Sequence, residues 1–106
     1  MVTASVKTIQ SFSDLRHFVY QTLCEQHELL VNSFPTSESL LKRGGRDACG
    51  VLFCQYGPRA VKMTAIWETD HNRVLFYGPN GKRYGQVELN MLVVEEPELL
   101  ELLNDH

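Results

Sequence analysis

Residues 49–89 read CGVLFCQYGPRAVKMTAIWETDHNRVLFYGPNGKRYGQVEL, and this stretch decides the fold. Short runs of β-branched and aromatic residues alternate with clusters of Gly, Pro, Asn and Asp, a pattern typical of antiparallel strands joined by tight turns. The pattern predicts four strands, at 49–56, 60–68, 73–77 and 82–89. The last connection, Gly78-Pro79-Asn80-Gly81, predicts a hairpin because proline presets φ and Gly81 accepts the left-handed conformation.

The hairpin turns also predict how the side chains divide between the two faces of the sheet. They place Tyr77 opposite Lys82, and Glu68 opposite Arg73. One face is then apolar and is expected to form the core, with Val61, Met63, Ala65, Trp67, Val74, Phe76, Val87 and Leu89. The opposite face mixes charged, aromatic and apolar residues: Lys62, Thr64, Ile66, Glu68, Arg73, Leu75, Tyr77, Lys82, Tyr84, Gln86 and Glu88. Because the first strand is apolar on both sides, we expect part of this opposite face to be covered too.

A helix is predicted ahead of the sheet. Ser11 is a suitable N-cap, and Asp14 follows three residues later in a capping-box arrangement. An apolar stripe at helical spacing, suited to cover the apolar sheet face, is formed by Leu15, Phe18, Val19, Leu23 and, at its far end, Leu30. Residues 1–10 show no periodicity and are predicted to be a loose lead-in, and residues 32–45 are predicted to be loop.

The C-terminal residues 96–104 predict a short acidic helix, with proline and carboxylates in its first turn. Its leucines, Leu99, Leu100, Leu102 and Leu103, need a partner surface on the same chain or on a second copy. The predicted fold is therefore α+β, a four-stranded antiparallel β-meander with an N-terminal helix packed on one face and a short C-terminal helix. Residues 11–106 are expected to form its single domain.

Composition and charge restrict the class of protein. A chain of 106 residues has room for one core, and its three cysteines, an odd number, argue against a disulfide framework. Without a recognisable secretion signal or an apolar run long enough to span a bilayer, we expect a cytoplasmic protein with no membrane partner. The net charge of −3 conceals a basic middle, since residues 42–83 carry eight Lys and Arg against three Asp and Glu.

The spacing of potential metal ligands does not predict a metal site. Cys49 and Cys54 are five residues apart on one predicted strand, so their side chains point to opposite faces. Cys24 and His27 form at most half of a site on the predicted helix, and no second half follows at a matching spacing. We therefore expect neither a metal nor another cofactor.

The candidate catalytic groups are also poorly placed. Cys24 and His17 are seven residues apart on the helix, about 10 Å, which is too far for activation of the thiol. Asp70 and His71 fall in a turn, where such residues are chosen for backbone reasons. The sequence thus predicts no catalytic residues, and an enzyme is the third and least favoured functional hypothesis.

Two functional hypotheses remain. The leading one is a non-enzymatic protein-interaction module, which binds a partner protein or a second copy through the C-terminal leucines and the mixed sheet face. The alternative is single-stranded nucleic-acid (RNA) binding, in which aromatic side chains stack on bases and basic ones neutralise phosphates. Arg59, beside a tight turn, is a further candidate for anion binding. The candidate binding residues are Lys62, Arg73, Tyr77, Lys82, Tyr84 and Arg59.

Overall fold

The computed structural model describes residues 5–30, 33–42, 48–69 and 71–90. In chain order these contain β1 (Ser5–Thr8), α1 (Phe12–Gln26), β2 (Thr36–Lys42), β3 (Ala48–Tyr56), a single 3-10 turn (Pro58–Ala60), β4 (Lys62–Glu68), β5 (Arg73–Tyr77) and β6 (Arg83–Asn90). The strands form one sheet in the order β1-β6-β5-β4-β3-β2. β1 runs parallel to β6, and every other neighbouring pair is antiparallel.

The prediction of a four-stranded antiparallel meander was wrong, because the sheet is six-stranded and mixed. β1, SVKT, is too short to show alternation, and its parallel pairing with β6 leaves no hairpin turn in the sequence. β2, TSESLLK, contains Ser and Glu, which carry little strand signal. The predicted C-terminal helix at 96–104 lies outside the described residues, among which α1 is the one α-helix.

The start of α1 confirms the prediction from the capping sequence. The Ser11 hydroxyl accepts a hydrogen bond from the Asp14 backbone N–H at 3.1 Å. Leu15, Val19 and Leu23 are fully buried, as the apolar spacing predicts. Leu30, by contrast, is 78% exposed because the helix ends before it.

The core lies between α1 and one face of the sheet. The buried sheet residues that α1 covers are Val51, Phe53, Met63, Ala65, Trp67, Val74, Phe76, Val87 and Leu89. The Phe12 ring joins the layers, since its centroid is 6.1 Å from that of Phe53 and 6.2 Å from that of Trp67. The predicted core residues are thus confirmed except Val61, which precedes β4 and is 36% exposed.

Two connections lie at the same end of the sheet, because alternate turns of an antiparallel meander share an end. They are residues 57–61, between β3 and β4, and residues 78–82, between β5 and β6. The C-terminal end of α1 reaches the same place, where Gly57 lies near Leu29 and Gly78 near His27. In the described ranges no helix has the length and apolar character needed to cross a membrane.

Candidate functional site

The sheet face opposite α1 is called the second face. The strand register assigns to it Leu52, Cys54, Tyr56, Lys62, Thr64, Ile66, Glu68, Arg73, Leu75, Tyr77, Arg83, Gln86 and Glu88. Leu52, Ile66 and Leu75 pair directly across β3, β4 and β5, so they form one apolar row. Leu75 is buried and the other two are half-buried. No helix from the described part of the chain packs on this row, since α1 buries its stripe against the other face.

A charged row lies at one end of the second face. Glu68, Arg73 and Glu88 pair across β4, β5 and β6, and the Arg73 Nε donates to the Glu68 Oε1 at 2.6 Å. This confirms the predicted opposition of Glu68 and Arg73. The hydrogen bond to Glu68 raises the pKa of Arg73, and the nearby Glu88 carboxylate acts in the same direction. Arg73 is therefore already neutralised and is a weak candidate for binding phosphate.

An aromatic and basic group lies at the other end of the second face. Tyr56 pairs with Lys62, and Tyr77 pairs with Thr64. Lys62 is exposed and forms no ion pair with any residue that the structure describes. Tyr56 was missed as a candidate. It is two residues after Cys54 on the same predicted strand, and side chains with this spacing lie on the same face of a sheet.

The predicted pairing of Tyr77 with Lys82 was wrong, and as a result Tyr84 does not lie on the second face. Gly78 donates to the Lys82 carbonyl at 3.1 Å and accepts from the Gly81 N–H at 3.0 Å, and Tyr77 pairs with Arg83 instead. Phe76, the residue before Tyr77, pairs with Gly85, so one residue of β6 lies between the two pairs and forms a bulge. Tyr84 is the extra residue and is turned towards α1.

The remaining candidates lie apart from this face. Lys82 is exposed in the β5–β6 hairpin, after Gly81 at φ 79°. Arg59 is exposed in the turn before β4, with φ 60°. The leucines of the predicted partner helix lie outside the described residues. The structure therefore brings Lys62, Arg73 and Tyr77 to one face and separates them from Lys82, Tyr84 and Arg59.

A cavity on the α1 side of the sheet was not predicted, because its walls are far apart in sequence. It lies between the end of α1 and the β5–β6 hairpin, has a volume of about 450 Å³, and is lined by Gln26, His27, Gly78, Pro79, Asn80, Lys82, Arg83 and Tyr84. Burial lowers the pKa of His27 from its ordinary value and raises the pKa of Tyr84 to about 12. His27 Nε2 and Tyr84 Oη are buried, and neither has a hydrogen-bond partner among the described residues.

The cysteine and metal chemistry adds no further site within the described ranges. No cluster of three or more His, Cys, Asp and Glu side chains there is placed to hold a metal ion. The buried Cys24 thiol donates to Gln55 Oε1 at 3.5 Å, and burial raises its pKa. A thiol held in its protonated form is a poor nucleophile.

Comparison with protein-family models, curated proteins and solved structures found no match for this chain. The function is therefore argued from the geometry of its surfaces.

Proposed function

We propose that this protein is a non-enzymatic interaction module whose second face binds another protein. The apolar row of Leu52, Ile66 and Leu75 is the observation that carries the proposal. Leu75 is buried and Leu52 and Ile66 are half-buried, so the row is a narrow apolar strip, and on a face that no described helix covers it suits the apolar side of a partner helix. Glu68 and Arg73 lie beside this row and already pair with each other, so they add little to binding. The binding free energy is therefore expected to come from the apolar side chains.

The charges on the second face favour an acidic, amphipathic partner segment. Lys62 is exposed at the end of the face where described carboxylates are lacking, so an acidic residue of the partner gains an ion pair there. Residues 95–103 of this chain, EEPELLELL, have the required composition. Their leucines, Leu99, Leu100, Leu102 and Leu103, remain the predicted partner helix, supplied by the same chain or by a second copy.

A labelled peptide of residues 95–104 tests the proposal by fluorescence anisotropy with the full-length chain. A full-length variant with the four leucines replaced by serine is expected to bind the peptide more tightly than the native chain, because its own segment no longer competes. Ile66→Asp places a charge in the apolar row and should abolish binding. The control, Gln21→Asp, adds the same charge on the exposed side of α1 and should change nothing.

Two results would contradict the proposal: no binding to any variant, or equal binding to the Ile66→Asp variant. Light scattering after size exclusion shows where the segment binds. A monomeric native chain would mean that its own segment covers the face and would contradict binding to another protein, whereas a dimer that the leucine-to-serine variant loses indicates binding between copies.

A second candidate function is single-stranded RNA binding, which is favoured by the grouping of Tyr56, Lys62 and Tyr77 at one end of the second face. It has less support than protein binding, since Tyr84 lies on the other face and Arg73 is paired with Glu68. Heteronuclear NMR with a mixed single-stranded RNA, at low and moderate salt, tests it. Salt-sensitive shifts at these three residues, weakened by Lys62→Gln, are expected if RNA is the ligand, and an unchanged spectrum excludes RNA.

A further inference from the structure

The cavity between α1 and the β5–β6 hairpin has the size of a small-molecule site. Its volume of about 450 Å³ falls within the range of about 300–1,000 Å³ that is usual for such sites. It shares no lining residue with the apolar row of Leu52, Ile66 and Leu75 on which the proposed protein binding rests. A site of this size can hold one ligand that consists of an anionic group and an organic group attached to it.

Two aromatic rings form one wall of the cavity, and each carries a polar atom with no partner. The His27 and Tyr84 rings meet edge to face, with centroids 5.9 Å apart and planes inclined at 83°. His27 Nε2 and Tyr84 Oη are both buried, and among the described residues neither finds a hydrogen-bond partner. Buried polar groups are nearly always paired in folded proteins, so two unpaired groups side by side favour a partner from outside the described residues.

The hairpin side of the cavity is basic. Lys82 and Arg83 are exposed, line the cavity, and form no ion pair with other described residues. The other polar lining groups, Gln26 and Asn80, are amides, and no carboxylate is among the lining residues. The set of donors and cations selects a ligand that carries negative charge and acceptor oxygens.

We propose that this cavity binds a small organic phosphate monoester. A phosphate is favoured over a carboxylate because its three terminal oxygens match the donors that Lys82, Arg83 and Tyr84 supply. The organic group lies against Pro79 and the aromatic wall. His27 Nε2, which has no partner among the described residues, donates to the phosphate.

Heteronuclear NMR titration of the isotope-labelled full chain with phenyl phosphate tests the proposal, with inorganic phosphate and benzoate as comparison probes. Saturable shifts at His27 and residues 78–84 are expected, with affinity for phenyl phosphate about tenfold above that for either comparison probe. The double variant Lys82→Gln/Arg83→Gln should bind about tenfold more weakly. Lys62→Gln removes the same kind of charge from the second face and should leave the affinity unchanged.

Gly78→Val provides a steric test, because it places a branched side chain in the cavity between Asn80 and His27. The φ of Gly78 lies outside the left-handed region, and an added Cβ would be 3.5 Å from Asn80 Oδ1 and 3.8 Å from His27 Cε1, which are ordinary contacts. The variant should fold and should not bind phenyl phosphate. If it does not fold, the double charge variant decides.

Three results would overturn the proposal. The first is that the chemical shifts never saturate with phenyl phosphate, and the second is that Lys62 shifts as much as the cavity residues. The third is that Lys82→Gln/Arg83→Gln or Gly78→Val binds phenyl phosphate as tightly as the native chain. If inorganic phosphate or benzoate binds as tightly as phenyl phosphate, the phosphate-monoester assignment is wrong.

Discussion

The Arg16 guanidinium on α1 donates hydrogen bonds to both carboxylate oxygens of Glu38 on β2. Nε lies 3.2 Å from Oε1 and 3.0 Å from Oε2, and Nη2 lies 3.0 Å from Oε1. The Glu38 side chain is 4% exposed and also accepts from the Tyr20 hydroxyl at 2.9 Å. Burial, and then the negative charge of Glu38, raise the pKa of Tyr20. These contacts fix the edge strand β2 to the helix that covers the core.

Arg16→Met is predicted to destabilise the protein by about 3 kcal/mol, because it removes the Arg16 cation from the buried Glu38 carboxylate. The control, Arg73→Met, breaks the pair with Glu68, of which neither partner is fully buried, and should cost less than Arg16→Met. The free energy of unfolding, from urea denaturation, separates the two. Equal losses of stability in the two variants would mean that the buried Glu38 needs its ion pair no more than the less buried Glu68 does.

Tyr20 and Tyr84 are predicted to respond oppositely to replacement by phenylalanine. Tyr20→Phe removes the hydrogen bonds to Glu38 and to the Ser37 carbonyl and should cost about 2 kcal/mol. Tyr84→Phe removes a buried hydroxyl without a partner among the described residues and should stabilise by about 1 kcal/mol. Chemical denaturation of both variants measures this. A loss of stability in Tyr84→Phe would show that this hydroxyl has a partner in solution.

His27 is predicted to make the protein less stable in mild acid. Burial lowers its pKa below the ordinary value of 6.5, and the unfolded chain recovers that value. As the pH falls below about 6.5, the unfolded state takes up a proton that the folded state does not, so the free energy of unfolding decreases. His27→Gln should reduce this decrease, measured by urea denaturation across that range. Equal acid sensitivity in the native chain and the variant would exclude His27 as the cause.

The sequence predicts the core well where local rules decide the structure. The alternation through Met63, Ala65 and Trp67 places these residues correctly, because a strand with one buried face allows a single register. The turn before β5 sets Glu68 opposite Arg73, as predicted. Ser11 caps α1 through a contact only three residues away. Each of these features depends on short-range geometry.

The failures involve geometry that a local pattern does not encode. An extra residue in β6, at the bulge, turns Tyr84 to the α1 side. Tyr77 and Tyr84, which the sequence predicts on the same face, therefore lie on opposite faces. The parallel pairing of β1 with β6 joins distant segments without a turn. The cavity beside His27 likewise needs the end of α1 to meet a hairpin that is distant in sequence.

Gly50 and Gly81 are predicted to resist substitution for different physical reasons. A Cβ added to Gly50 meets the Trp67 carbonyl oxygen far inside van der Waals contact, while one added to Gly81 meets nothing within 4 Å. Gly50→Ala should therefore cost about 3 kcal/mol, because the clash is with the backbone of the paired strand. Gly81→Ala should cost about 1 kcal/mol, since only its φ of 79° disfavours a side chain.

Asparagine at each position distinguishes the two causes, because Asn tolerates the left-handed conformation better than Ala but is larger. Gly81→Asn should recover part of the stability that Gly81→Ala loses, whereas Gly50→Asn should be less stable than Gly50→Ala. Urea denaturation gives the order of the four variants. If Gly81→Asn is no better than Gly81→Ala, the restriction at this turn is not conformational, and the type of turn that joins β5 to β6 has to be reassigned.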